Sequence, residues 1–102
     1  MEKECPVTKI VDVVSRKWAL LILRQLIFEK KRFNELLKEI HGISPRTLSK
    51  RLSELEKSNI IKKKQFNEIP PRVEYSLTNS GLELIRCFKS LDNWAKKWEK
   101  LL

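Results

Sequence analysis

The spacing of apolar positions along this chain shifts from helical to alternating and back to helical, and the shifts mark its elements. After Pro6, a residue preset for a first helical turn, Val7, Ile10, Val11 and Val14 recur at helical spacing and predict a short opening helix ending near Ser15. From Lys17 to Glu29 the apolar residues Trp18, Ala19, Leu20, Leu21, Ile22, Leu23, Leu26, Ile27 and Phe28 run nearly all round a helix. That pattern is expected of an element buried in the centre of a small domain. Phe33, Leu36, Leu37 and Ile40 predict a third, two-turn helix that stops at Gly42.

Ser44 and Pro45 carry the sharpest local signal: a serine able to cap orphan N–H groups, then a proline suited to the first helical position. A new helix is predicted there, separated from its predecessor only by His41, Gly42 and Ile43, the tight spacing of a helix-turn-helix. On this fourth helix Leu48, Leu52 and Leu55 share one face. At about 100° per residue, Arg46, Lys50, Ser53 and Lys57 lie opposite them, with Thr47 and Ser49 on the flanks. Asn59, which tolerates a positive φ, marks the stop. Residues Ile60 to Phe66 and Arg72 to Leu77 then read as a hairpin, since Val73, Tyr75 and Leu77 alternate with Arg72, Glu74 and Ser76. Pro70 and Pro71 keep its tip out of regular pairing. Thr78 can cap a last helix from Asn79 to about Lys100, with Leu84, Phe88, Leu91, Ala95, Trp98 and Leu102 in one stripe.

Length bounds this reading to one domain, 1–102, since 102 residues leave no room for a second core. A core this thin often needs a second subunit to complete it. The two glycines, Gly42 and Gly81, lie too far apart for a phosphate-cradling loop. His41 is the only histidine, expected in a turn, and Cys5 and Cys87 are far apart, so no catalytic residue, metal site or cofactor is expected and the chain does not read as an enzyme. The longest apolar run, Trp18 to Leu23, is far short of the roughly 20 residues a membrane span requires, and residues 1–5 are charged, so a cytoplasmic location without membrane contact is expected.

Charge adds to the picture because it is uneven. The formal net charge is +9, and residues 44–64, with seven basic and two acidic groups, carry more than half of the excess. A local surplus beside a sharp helix start is the electrostatic footprint of a nucleic-acid binder, although a solvated charged face is the commoner meaning of basic composition. Lys62, Lys63 and Lys64 charge the first hairpin strand, which equally protects a sheet edge from aggregation.

Mainly α with a small β-hairpin, these elements make a winged helix-turn-helix in which the fourth helix would enter the major groove and the hairpin would reach the adjoining backbone. The chain resembles the HxlR-type winged helix-turn-helix transcription regulators through Cys5-Pro6-Val7, Lys17-Trp18, Arg32-Phe33-Asn34-Glu35-Leu36 and Gly42-Ile43-Ser44-Pro45. The match continues through Leu48-Ser49-Lys50-Arg51-Leu52, Leu55-Glu56, Pro70-Pro71-Arg72-Val73-Glu74-Tyr75-Ser76-Leu77-Thr78 and Gly81. Ser15-Arg16 and Asn59 depart from it, standing where glycines are common. The resemblance implies a homodimeric bacterial or archaeal regulator with first and last helices at the dimer interface, and Arg46, Thr47, Ser49, Lys50 and Arg51 in the reading region. It also implies that the cysteine at the Cys5 position serves some members as a sensor of oxidants or electrophiles.

Together these readings nominate Ser44, Arg46, Thr47, Ser49, Lys50, Arg51, Ser53, Lys57, Lys62, Lys63, Lys64 and Arg72 for an inverted-repeat duplex DNA operator. Val7, Ile10, Val11, Phe88, Leu91, Ala95, Trp98 and Leu102 are nominated for a homodimer interface. Cys5 is the candidate redox switch, with an oxidant or small-molecule effector as partner: a helix N-terminus and Lys3 favour its thiolate, whereas Glu2 and Glu4 oppose it. Cys87 reads as a buried thiol. Two other classes compete. A protein-interaction winged helix has no use for the basic face of the fourth helix, and a single-strand RNA binder needs an exposed aromatic platform, whereas Trp18, Trp94 and Trp98 fall in apolar helical patterns.

Overall fold

A computed structural model describes residues 6–101 of the chain, and the side chains of Pro6, Val7, Ile10 and Leu101 fall outside that description. The expectations for Cys5 and Leu102, and for the side chains of Val7 and Ile10, therefore lie outside the described residues.

Helix α1 (Pro6–Val14) buries Val14 and leaves Val11 exposed. The chain then turns through 15–18, and Trp18 takes a left-handed φ of 85°, so helix α2 (Ala19–Phe28) begins later than Lys17. Its core face is Ala19, Ile22, Leu23 and Leu26. The expectation that α2 is buried all round is corrected: Leu20, Leu21, Ile27 and Phe28 are exposed, Phe28 at 85%. A helix lying against one side of a thin core has neighbours for only one of its faces.

Lys31 and Arg32 form a short strand, β1 (Lys31–Arg32), before α3 (Phe33–Glu39). The Glu35 carboxylate accepts from the Arg32 N–H at 2.9 Å, satisfying one of the orphan donors at the start of α3. Gly42, at φ 88°, makes the turn into α4 (Pro45–Lys57). Leu48, Leu52 and Leu55 of α4 are buried, each contributing about 1.5–3 kcal/mol of apolar burial. Asn59 adopts a φ of 59°, as its place after the helix requires.

Strands β2 (Ile61–Phe66) and β3 (Arg72–Leu77) pair antiparallel in the register Ile61↔Leu77 through Phe66↔Arg72. The expected hairpin is a three-stranded sheet, ordered β1-β3-β2, because β1 adds Lys31↔Tyr75 and Arg32↔Glu74 to the free edge of β3. Ile61 and Leu77 join the core where the hairpin leaves it.

Helix α5 (Asn79–Trp98) is tied to this root. The Thr78 hydroxyl accepts from the Gly81 N–H at 2.9 Å and lies 2.7 Å from the Asn59 carbonyl oxygen, to which it donates. Gly81 is required by close approach: a Cβ there would collide with the Ile60 carbonyl oxygen. Leu84, Ile85 and Phe88 pack on the core, while Leu91, Trp94 and Trp98 farther along are exposed. A 3-10 turn (Glu99–Leu101) ends the described chain. Among the described residues no helix is long and apolar enough to cross a membrane, and no group of acidic, histidine or cysteine side chains could hold a metal ion.

Candidate nucleic-acid interface

Local chemistry fixes the start of α4. The Ser44 hydroxyl accepts from the Thr47 N–H at 3.1 Å and donates to the Thr47 hydroxyl at 2.9 Å, and Pro45 occupies the first turn, where a missing N–H costs nothing. With the leucine face buried, the helix turns Arg46, Ser49, Lys50, Ser53 and Lys57 to solvent. Among the described residues none of Arg46, Lys50 and Lys57 has a carboxylate within ion-pairing distance. Arg51 is placed differently. It is half-buried on the flank of the helix and paired with Glu54.

The hairpin divides its lysines between two faces. Lys63, opposite Tyr75, continues the face that buries Ile61 and Leu77, whereas Lys62 and Lys64 share the other face with Phe66 and Arg72. All three lysines are exposed and free of described carboxylates. Arg72 is half-buried: its guanidinium lies 4.0 Å from the Phe66 ring centroid, 3.2 Å from Glu68 and 3.6 Å from Glu74. The tip beyond it carries a cis Ile69–Pro70 bond and an exposed Ile69.

Two of the three cations in the basic run at β1, Lys30 and Lys31, are spent on the protein itself, while Arg32 is exposed. Lys31 reaches Glu39 at 2.9 Å and Glu29 at 3.4 Å, and Lys30 lies 3.5 Å from Glu74. The hydrogen bond to Glu39 holds the Lys31 ammonium above the ordinary lysine range, against a smaller opposing effect of burial. Across the strand from it, burial pushes the Tyr75 phenol up, with Glu56 adding to the shift.

Of the residues nominated for an interface between subunits, Val11, Leu91 and Trp98 are exposed, and Phe88 and Ala95 half-buried. Beside them Leu20, Ile27, Leu82, Ile85, Phe88 and Leu91 line a groove of about 390 Å³ between α2 and α5, bridged by an Arg24–Asp92 ion pair at 2.6 Å. Cys87 corrects the sequence reading: it is exposed, since its position on α5 turns away from the Leu84–Phe88 side that meets the core. Sequence reasoning missed Arg16, which reaches Glu54 of α4 at 3.3 Å from the turn after α1. The only trace of it is the Asp12–Arg16 spacing, which suits one helical face.

A capped helix with an open cationic face, three residues from a lysine-bearing hairpin, is the geometry of a winged helix-turn-helix. Residues 13–101 match the model of the HxlR-like helix-turn-helix family. The chain belongs to that family. An HTH-type transcriptional regulator of Synechocystis is 39% identical over 94 residues, covering 92% of this chain and 70% of the relative. Among solved structures, HypR, a redox regulator in its reduced form, superposes with a TM-score of 0.88 at 34% identity, covering 96% of this chain and 97% of the other. The reduced form of the regulator YodB of Bacillus subtilis gives 0.84 at 32% identity, with 94% and 95% covered. This HxlR-like chain is thus a transcriptional regulator with a winged helix-turn-helix fold.

Proposed function

We propose that this regulator binds duplex DNA sequence-specifically as a homodimer, with α4 in the major groove and the β2–β3 wing on the adjoining phosphates. The open face of α4 supports this most directly: Arg46, Lys50 and Lys57 project with Ser49 and Ser53 between them and no described carboxylate in reach. Long cations can pair with base-edge acceptors and hydroxyls with either edge. Lys62, Lys63 and Lys64 fit a positioning role on the backbone, which carries no sequence information of its own. Ser44 and Thr47 shape the helix start, and Arg72 braces the wing tip through the carboxylates of Glu68 and Glu74.

Exposed Val11, Leu91, Trp94 and Trp98 support a two-fold dimer, because one small domain leaves this apolar surface wet. Two recognition helices then sit roughly 34 Å apart and read inverted half-sites one helical turn apart. Selection of bound sites from random duplex DNA, with sedimentation of the same protein, tests both statements. An enriched inverted repeat and a species of twice 12.2 kDa are expected; no enrichment, or a 12.2 kDa species alone at micromolar concentration, contradicts the reading.

A redox input is favoured by one further observation: the similar regulator YodB has been solved both reduced and diamide-treated, and HypR both reduced and oxidised. We infer that Cys5 is the responsive thiol and that exposed Cys87, or Cys5 of the second subunit, is available to bridge it. Operator affinity measured before and after diamide should change in the parent and stay constant in Cys5→Ser. An equal response in both proteins excludes Cys5.

A further inference from the structure

Glu54 lies on the flank of α4, between its buried leucines and its open face, with its side chain 26% exposed. One carboxylate oxygen pairs with Arg51, one turn earlier on the same helix, and the other meets Arg16 at 3.3 Å. Arg16 belongs to the turn between α1 and α2, where it also lies 3.8 Å from Asp12. Arg51 is only 17% exposed, and its Nε is buried without a hydrogen-bond partner among the described residues. Next to Arg16, the Trp18 ring reaches to 3.6 Å from where a Cβ would stand on Gly42. The turn thus grips both the recognition helix and the helix-turn-helix bend.

A helix with its side chains is about 10–12 Å across and the major groove is about 12 Å wide, so the flanks of a reading helix face walls lined with phosphate. A free arginine at position 51 would meet such a wall. We propose that Glu54 is a positioning residue that withholds Arg51 from DNA, and so sets how strongly the protein binds duplex regardless of sequence. The inference rests on the reading that α4 enters the groove. Each cation that reaches a phosphate releases counterions and strengthens every duplex alike. The Glu54 carboxylate neutralises Arg51 in place, leaving Arg46, Lys50 and Lys57 as the cations the helix presents.

Affinity for a random-sequence duplex, titrated from about 50 to 200 mM salt, separates the alternatives. In Glu54→Gln, Arg51 loses its counter-ion while Arg16 keeps Asp12, so the slope of log K against log salt should steepen by roughly 0.9, the value of one phosphate contact. Glu54→Gln with Arg51→Gln should return the slope to that of the parent, and Arg51→Gln alone should leave it unchanged. A folded Glu54→Gln protein with the parent slope overturns the proposal, as does an Arg51→Gln protein whose slope flattens by roughly 0.9. If Glu54→Gln does not fold, Arg51→Gln decides alone. A parent that binds no duplex defeats the groove reading itself, whereas a parent that binds while the variants behave otherwise defeats only the role of Glu54.

Discussion

On α4, Arg46, Lys50 and Lys57 project from the protein with no described carboxylate in reach, whereas around β1 the cations Lys30 and Lys31 each meet one or two. The two regions are built from the same residue types, and in the sequence Lys30-Lys31-Arg32 is as dense a basic run as Lys62-Lys63-Lys64. Glu29, Glu39 and Glu74 separate them by arriving beside β1 from the end of α2, from α3 and from β3. A cationic surface is therefore made by where carboxylates fail to fall, which a charge count cannot show. Around β1 the ion pairs tie Lys31 to the end of α2 and to α3, and Lys30 to β3; on α4 the charge is left for something outside the molecule.

The comparison depends on the wing being seated on the core, and the largest effect on stability should come from unseating it. A methyl group at Gly81 would collide with the Ile60 carbonyl oxygen, at the point where Thr78 binds the residues leading into β2. Gly81→Ala should destabilise the fold by roughly 1–3 kcal/mol, since overpacking against backbone leaves no flexible neighbour to move aside. Urea unfolding measures it, and a midpoint equal to that of the parent would mean that α5 and the wing root are not held as described.

The features legible in the sequence are those with local causes. Ser44-Pro45 sets the start of α4, the leucine spacing sets its buried face, and Thr78 and Asn59 bound the wing. What escaped reading depends on distant partners. Strand β1 is two residues long and exists because the edge of β3 was free, so no alternation announces it. Phe28 and Leu21 look like core residues until it is known that nothing among the described residues covers their side of α2. Cys87 follows the same logic, since the apolar stripe beside it suggests burial while its own position on α5 turns away from the side that meets the core. Arg16 and Glu54 sit in different elements, and only the packing of the α1–α2 turn against α4 makes them a pair.

The difference between the two basic regions is tested most directly by one salt titration of operator affinity across three variants. Arg46→Ala with Lys50→Ala should lose the most, roughly 1–3 kcal/mol for each base contact removed, with relaxed sequence preference. Lys62→Ala with Lys64→Ala should weaken all duplexes alike and flatten the salt slope by roughly 0.9 per lysine. Lys31→Ala, whose ammonium is already held by Glu39 and Glu29, should change neither affinity nor slope. An Arg46/Lys50 variant with parental affinity, or a Lys31 variant that loses as much as the wing pair, would contradict the division between the open cations of α4 and the carboxylate-held Lys31 of β1.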